Sequence, residues 1–174
     1  MTMRENIGLF RGKRINNGKW VEGYLLRSKI KERIRYEIYV PFTEEEEKEN
    51  EGHFLSAIGG IWHKVDPDTI GECTGLSTLN GELIFEGDIL SAKVRMKVNR
   101  RESDFWGEEY DIEEQRQPWS VEYKNFNARN GWFCYGKDRR FKVMLTNSVI
   151  INAEPIIIGN IHDNPELLKG GEGE

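Results

Sequence analysis

Residues 69–90, TIGECTGLSTLNGELIFEGDIL, hold four glycines and one Asn-Gly pair between short apolar runs. Glycine adopts positive backbone φ angles at little cost, so it is favoured where a chain turns sharply or lets another strand approach closely. Asn80-Gly81 is the kind of pair most typical of a tight hairpin turn. The stretch therefore predicts the corner of a small β-structure, and a catalytic loop is the less favoured interpretation.

The same turn signals recur along the rest of the chain. Asn17-Gly18 and Asn130-Gly131 each separate runs rich in Trp, Tyr, Val and Ile, residues that suit strands. Convincing helical spacing of apolar residues is scarce. We predict a mainly β protein whose strands recur about every 8–12 residues, as in a barrel or sandwich. The predicted strands are 7–15, 19–26, 29–42, 53–58, 69–73, 82–85, 88–98, 119–125, 131–136, 141–146 and 155–163.

Three segments lack strand character. The acidic run EEEEKENEG at 44–52 predicts a solvated, mobile connection. Residues 99–118, NRRESDFWGEEYDIEEQRQP, are too polar for a core strand, and we interpret them as a long insertion in a hairpin with one helical turn at 109–116. The tail at 169–174 is Gly-rich and charged, which favours a frayed end.

Length and composition exclude several classes of protein. A chain of 174 residues fits one ordinary domain, or one domain with an appendage. The two cysteines, Cys73 and Cys134, are too few for a disulfide framework, and their apolar neighbours predict small buried residues. His53, His63 and His162 lack the spacing of metal ligands, so we expect no metal and no cofactor. The start MTMRENIGLF lacks the apolar core of a signal peptide, and no apolar run is long enough for a membrane span. We expect a cytoplasmic protein without a membrane partner.

Charge is distributed unevenly along the chain. The net charge is -5, yet residues 1–43 carry ten Lys or Arg against four Asp or Glu. Residues 44–90 carry two against twelve. The overall acidity argues against a dedicated nucleic-acid binder, for which a pI above about 9 is usual. A local basic face is still compatible with this distribution.

Four segments together resemble the YopX family, small proteins found largely in bacteriophages and prophages. They are FRGKRINNGKWVEGYLL (10–26), TIGECTGL (69–76), NGELIFEGDIL (80–90) and IIIGNIHDNPELL (156–168). The chain departs from the family pattern at Cys73, where an aromatic residue is more usual, and in the insertion at 99–118.

The resemblance implies a fold and a source but no activity. It implies an SH3-like β-barrel over residues 61–168, with the insertion at about 99–118, after an N-terminal β-rich segment at 1–60 and before a flexible tail at 169–174. It also implies a phage or prophage protein of the bacterial cytoplasm. No catalytic residue can be carried over from the family.

The residues of these motifs are of types that shape backbone. Asn80-Gly81 suits a tight turn, and Asp88 is expected to bond backbone N–H groups just ahead of it. Glu86 is expected to pair with a basic neighbour on the barrel rim. Ile156, Ile158 and Ile161 are predicted to fill the barrel, and Pro165 to open a short helix. The structural motif we predict comprises Gly71, Gly75, Asn80, Gly81, Glu86, Gly87, Asp88, Gly159, Asn160, Asn164 and Pro165.

An enzyme is the weakest of the functional hypotheses. Glu86 and Asp88 fall on the same face of a strand, and paired carboxylates can perform acid–base chemistry. No nucleophile or base partner stands near them in the sequence. We therefore expect no catalytic activity and no catalytic residues.

The most informative feature outside the motifs is the basic run RSKIKERIRYEIYV at 27–40. Its cations fall at every second position, so in one continuous strand they point to the same face. Three interpretations stay open: a solvated edge protected by charge, an ion-paired surface, and a site for a partner. The candidate binding residues are Arg27, Lys29, Lys31, Arg33, Arg35 and Trp20.

Two functional hypotheses follow. The first is a noncatalytic phage or prophage accessory protein, a β-barrel module that binds an unknown protein or oligomerises. The alternative is a nucleic-acid-binding protein that uses the basic strand at 27–35, with Trp20, Trp62 or Trp132 as stacking partners. Because the chain is acidic overall, a protein partner or self-association is favoured over nucleic acid at this stage.

Overall fold

A computed structural model describes residues 8–50, 59–103, 107–126, 129–136, 139 and 141–169. The chain forms two compact units, Met1–Gly75 and Leu76–Glu174. The boundary between them therefore lies inside the 69–90 stretch and after the residue-60 boundary that the sequence predicts. The predicted strand at 53–58 and almost all of the predicted tail fall outside the described residues.

The first unit is an antiparallel sheet in the order β4-β3-β2-β1-β5. The residues that end β4 and follow it are hydrogen-bonded to the residues that end β1 and follow it. Asp66 N donates to Lys13 O at 2.8 Å, and Ile15 N donates to Lys64 O at 3.0 Å. A short 3-10 turn, Pro67–Thr69, leads from there into β5, which crosses the unit boundary. The elements are β1 (Leu9–Lys13), β2 (Trp20–Ile30), β3 (Arg33–Pro41), α1 (Glu44–Glu49), β4 (Gly60–Lys64) and β5 (Gly71–Ser77).

One face of this sheet holds the core of the first unit. Val21, Ile38 and Val65 are buried there, with Phe10 and Leu25 packed against them. Gly12 leaves the room that Val65 needs, since a Cβ at Gly12 would lie 3.2 Å from the Cβ of Val65. The opposite face of β1–β4 points away from this core.

The second unit is a five-stranded antiparallel sheet in the order β10-β9-β8-β7-β11. Its core is built on Leu90, Trp119, Val121 and Cys134, with Ile150 of a short helix packed on them. The elements are β6 (Leu83–Phe85), β7 (Asp88–Ser103), β8 (Gly107–Phe126), β9 (Arg129–Gly136), β10 (Lys142–Met144), α2 (Asn147–Ala153), β11 (Ile156–Asn160) and a 3-10 helix, Pro165–Leu168.

The fold confirms a mainly β protein with two antiparallel sheets and few short helices. Within the described residues the strands do not close into a barrel, so the SH3-like barrel stays a prediction. Cys73 and Cys134 are buried free thiols, as expected, and burial raises the pKa of Cys134 to about 12. None of the helices in the described part of the chain is long and apolar enough to span a membrane.

Two segments predicted as irregular form regular structure. The insertion predicted at 99–118 is the far part of the β7–β8 hairpin, whose strands pair as far as Ser103 opposite Gly107. The helical turn predicted at 109–116 is therefore wrong. The acidic run begins with helix α1, because Thr43 and Glu46 form a capping box at its N-terminus.

Three strand predictions also need correction. Asn130-Gly131 lies inside β9 and makes no turn, since Asn125 pairs with Asn130 in the β8–β9 hairpin. The strand predicted at 29–42 is two strands joined by a turn at Lys31-Glu32, where Lys31 has a φ of 56°. The sequence reasoning assigned no strand to β4.

Candidate functional site

The β2–β3 hairpin divides the five predicted cations between its two faces. Residues directly opposite each other in an antiparallel pair share a face, and Arg27 lies opposite Tyr36 while Lys29 lies opposite Ile34. These two cations therefore continue the core face. Arg33 and Arg35, on alternate positions of β3, continue the opposite face. The prediction that all five share one face is wrong, because the chain reverses at Lys31.

A row of aromatic side chains crosses the outward face of the first unit. Tyr24 of β2 lies opposite Tyr39 of β3, and Tyr39 lies opposite Trp62 of β4. The rings of Tyr39 and Trp62 are in contact, with centroids 4.8 Å apart. Tyr24 is 49% exposed and Trp62 is 44% exposed, so the row is open to solvent. We name the outward surface of β1–β4, which includes this row, the aromatic face.

Cations flank the aromatic row on both sides. On one side, Arg11 and Lys13 lie over the Trp20 ring, 5.0 Å and 5.4 Å from its centroid. On the other side, strand register places Lys64, Arg35 and Arg33. The carboxylates that register assigns to this face in β1–β4 are Glu22, opposite Arg11, and Glu37, opposite Lys64. The aromatic face is therefore locally positive on a chain that is acidic overall.

A cavity of about 300 Å³ lies beside the aromatic row, between β4 and the turn after β1. Burial lowers the pKa of His63, and the nearby Arg14 charge lowers it further, so both effects favour the neutral imidazole. The volume is at the lower end of ligand-binding clefts, about 300–1,000 Å³. The lining residues are Ile15, Asn16, Trp62, His63 and Lys64.

The residues of the 69–90 motif form turns and hold the backbone in place there. Gly75, Gly81 and Gly87 have φ angles of +74°, +85° and +82°. Asp88 is fully buried, and its Oδ2 accepts a hydrogen bond from Phe85 N at 2.7 Å across the turn. Glu86 accepts from the backbone N–H of Tyr123 at 3.3 Å. Gly71, the first residue of β5, is buried and pairs with Arg11 of β1.

The C-terminal motif closes on the same turn. Gly87 N donates to Val121 O at 2.9 Å, and Gly87 O accepts from Ile161 N at 2.9 Å. Asn160 is buried; its Oδ1 accepts from His162 N at 3.0 Å, and its carbonyl accepts from Asn164 N at 2.7 Å. Pro165 opens the 3-10 helix, as predicted.

One motif prediction needs correction and another is confirmed. Ile156 and Ile158 are 42% and 40% exposed, so they do not fill a core; Ile157 packs against the core instead. The turn predicted at Asn80-Gly81 is confirmed between β5 and β6: Gly81 N donates to Thr78 O and Thr78 N donates to Glu82 O, each at 2.9 Å, with the positive φ at Gly81.

A second cavity, of about 350 Å³, lies in the second unit. Its Lys93 is ion-paired with Glu154 at 2.7 Å and with Glu114 at 3.6 Å, so its charge is already compensated. The ring of Trp132, the third tryptophan considered for stacking, packs edge-on against Tyr123 at 5.1 Å. The aromatic face is therefore the stronger candidate site.

Sequence reasoning named Trp20 and Trp62 but missed Tyr24 and Tyr39. The signal that places these tyrosines beside Trp62 is cross-strand register, which depends on where the β2–β3 turn falls. A turn at Lys31-Glu32 is hard to recognise, because neither residue is a usual turn former.

One comparison with known proteins identifies a family. The model of the family described as YopX protein matches residues 9–169. No curated protein matches the chain. A crystal structure of protein EF1440 from Enterococcus faecalis is similar at 19% sequence identity, with a TM-score of 0.46, covering 92% of this chain and 96% of that one.

Proposed function

The chain belongs to the YopX protein family, and on that premise we propose that it is a noncatalytic accessory protein of a phage or prophage that binds single-stranded nucleic acid on its aromatic face. The observation that carries this proposal is the open row of Tyr24, Tyr39 and Trp62 between two groups of cations. Stacked bases and phosphates need these two kinds of side chain side by side.

The geometry favours a single strand over a duplex. Bases of a single strand are unstacked and can lie on aromatic rings, whereas those of a duplex are already stacked. Adjacent strands of a sheet lie about 4.7–4.9 Å apart, so a row across three strands offers successive rings at close spacing. Lys64 lies two residues along β4 from Trp62, about 6.6 Å from the row, whereas Arg35 and Arg33 lie four and six residues along β3 from Tyr39, about 13 and 20 Å from it. These two arginines are therefore placed to contact phosphates further along the bound strand.

The motif carboxylates support the noncatalytic part of the proposal. Asp88 and Glu86 each accept a hydrogen bond from a backbone N–H, at Phe85 and Tyr123. These contacts give both side chains a structural role in holding the turn around Gly87. Neither then needs a catalytic role to account for its presence.

Binding is tested by fluorescence anisotropy of a labelled oligothymidylate titrated with the protein across a salt series. Phosphate contacts predict an affinity that falls with salt, with a slope of about -0.7 per contacted phosphate in log–log form. Arg33→Gln with Arg35→Gln should weaken binding and make the slope shallower by about 1.4, two contacts in all.

The matched control is Arg27→Gln with Lys29→Gln on the same hairpin. It removes the same charge, but from the opposite face. The proposal predicts a clearly smaller loss of affinity for this pair. Equal losses for the two pairs would mean that charge alone acts, without a defined face. Absence of binding by the native chain at low salt would rule the proposal out.

A second candidate function is self-association through β11. This strand is the last one in the sheet order of the described second unit, and it exposes Ile156 and Ile158. An apolar strand at a sheet edge is a ready template for pairing with another chain. A second copy pairing along this edge would cover both isoleucines.

Sedimentation velocity tests self-association directly. A dimer that Ile156→Lys with Ile158→Lys converts to monomer supports the edge contact. Ile151→Lys is the control, because Ile151 is exposed on α2 in the same unit but lies outside β11. A native chain that stays monomeric over the whole concentration range removes this candidate.

A further inference from the structure

We infer that the cavity beside Trp62 takes a single base of the bound strand, flipped away from its neighbours. The inference rests on the proposed function and deepens it, because it assigns one specific site to a base within a face that otherwise contacts stacked bases and phosphates. The occupant is a planar heteroaromatic ring with hydrogen-bonding edges and an attached phosphate.

The position of Trp62 is the first argument. Trp62 ends the aromatic row, where its ring touches Tyr39 at a centroid distance of 4.8 Å, and it also lines the cavity. One side chain therefore belongs to both the stacking row and the cavity. A nucleic-acid strand that follows the row reaches the cavity at Trp62 without crossing another described strand of the sheet, since β4 is the last of these in the order on this side.

The lining of the cavity is the second argument. Ile15, 66% exposed, adds an apolar side chain to the lining that contains Trp62. The Asn16 amide offers both a donor and an acceptor. Watson–Crick edges of bases present donors and acceptors together, which this lining can match.

The charge at the mouth of the cavity is the third argument. Lys64 lines the cavity and lies two residues along β4 from Trp62, so both side chains point to the aromatic face. A lysine in this position can bind the phosphate on the sugar of an inserted base. A free aromatic compound without a phosphate would leave this cation unused.

The test compares an oligothymidylate with an oligomer of the same length whose residues are all abasic, measured by competition anisotropy. Both carry the same phosphates, so the difference between them isolates the bases. We expect the native chain to bind the oligothymidylate at least about fivefold more tightly, since this is the lower end of what stacking of one base is worth. Trp62→Ala should lose about that factor for the oligothymidylate and keep its affinity for the abasic oligomer.

Two further variants test the cavity and the Trp62 ring separately. Ile15→Trp fills the cavity and leaves the Tyr39–Trp62 contact in place, so it should reproduce part of the Trp62→Ala loss. Trp62→Phe keeps a ring and should restore most of the binding. Unchanged melting temperatures show that each variant is folded.

The outcomes separate the inference from the proposed function. If the abasic oligomer and the oligothymidylate bind equally, and Trp62→Ala weakens both alike, the base site is overturned while nucleic-acid binding stands. If Ile15→Trp has no effect but Trp62→Ala weakens only the oligothymidylate, bases stack on the row and the cavity is not used. If neither oligomer binds, the proposed function fails and the inference fails with it.

Discussion

Gly87→Ala is the substitution that best tests the structural reading of the 69–90 motif. Gly87 has a φ of +82°, a conformation that costs an L-residue roughly 1–2 kcal/mol. A Cβ there would also lie 3.2 Å from Nδ2 of the buried Asn160, which must move, and 3.4 Å from Ile161 Cγ1. Overpacking of this kind costs typically about 1–3 kcal/mol. Alanine also restricts the unfolded chain more than glycine does, and this stabilises the folded state by about 0.4–1 kcal/mol. The expected net loss is about 2–4 kcal/mol.

Gly81→Ala is a closely matched control. Gly81 lies in the same unit with a φ of +85°, and nothing stands within 4 Å of the position its Cβ would occupy. It has the same backbone cost and the same gain from the unfolded chain, so its net loss is about 1 kcal/mol. Urea unfolding followed by tryptophan fluorescence measures both. Equal losses for the two variants would refute the reasoning, because they would mean that Gly87 is not packed against the C-terminal motif.

The remaining predictions concern side chains of the second unit. Asp88→Ala leaves the buried N–H of Phe85 without its acceptor and should cost about 1–3 kcal/mol in urea unfolding, while the exposed Glu82→Ala should stay within about 0.5 kcal/mol of the native chain. Burial alone raises the pKa of Glu122, but hydrogen bonds from Arg139 and Lys124 outweigh it and hold this pKa below its ordinary 4.5. The stability from these pairs is therefore present above pH 4.5 and is lost as pH falls through the folded-state pKa, so the difference between the native chain and Glu122→Gln should shrink on acidification. If the melting temperatures of the two proteins fell in parallel as the pH is lowered, the predicted sign would be contradicted. Gly159→Ala places a Cβ 2.5 Å from Asn164 Oδ1 and should destabilise the C-terminal motif, with a lower melting temperature as the readout.

Much of the architecture could be predicted because turn chemistry is local. Gly75, Gly81 and Gly87 have the positive φ angles that make glycine favourable, and the strands between them follow from the apolar runs. The long β7–β8 hairpin could not be predicted in the same way. Its far part is rich in charged and polar residues, so hydrophobic alternation gives little signal there.

The candidate site was predictable only in part, because it depends on non-local register. Trp20 and the basic run were visible in the sequence, but their arrangement depends on the turn at Lys31-Glu32. That turn moves Arg33 and Arg35 to the face opposite Arg27 and Lys29. It also sets Tyr24 beside Tyr39, and the pairing with β4 then adds Trp62. A composition that is acidic overall concealed this local positive surface.

Photo-cross-linking of an oligonucleotide that carries 4-thiothymidine, followed by peptide mapping, tests the central claim most directly. The account predicts cross-links in the peptides that contain Tyr24, Tyr39 and Trp62, with fewer cross-links as salt rises. Cross-links confined to peptides of the second unit, such as that of Trp132, would contradict it, as would a pattern that Arg33→Gln with Arg35→Gln leaves unchanged.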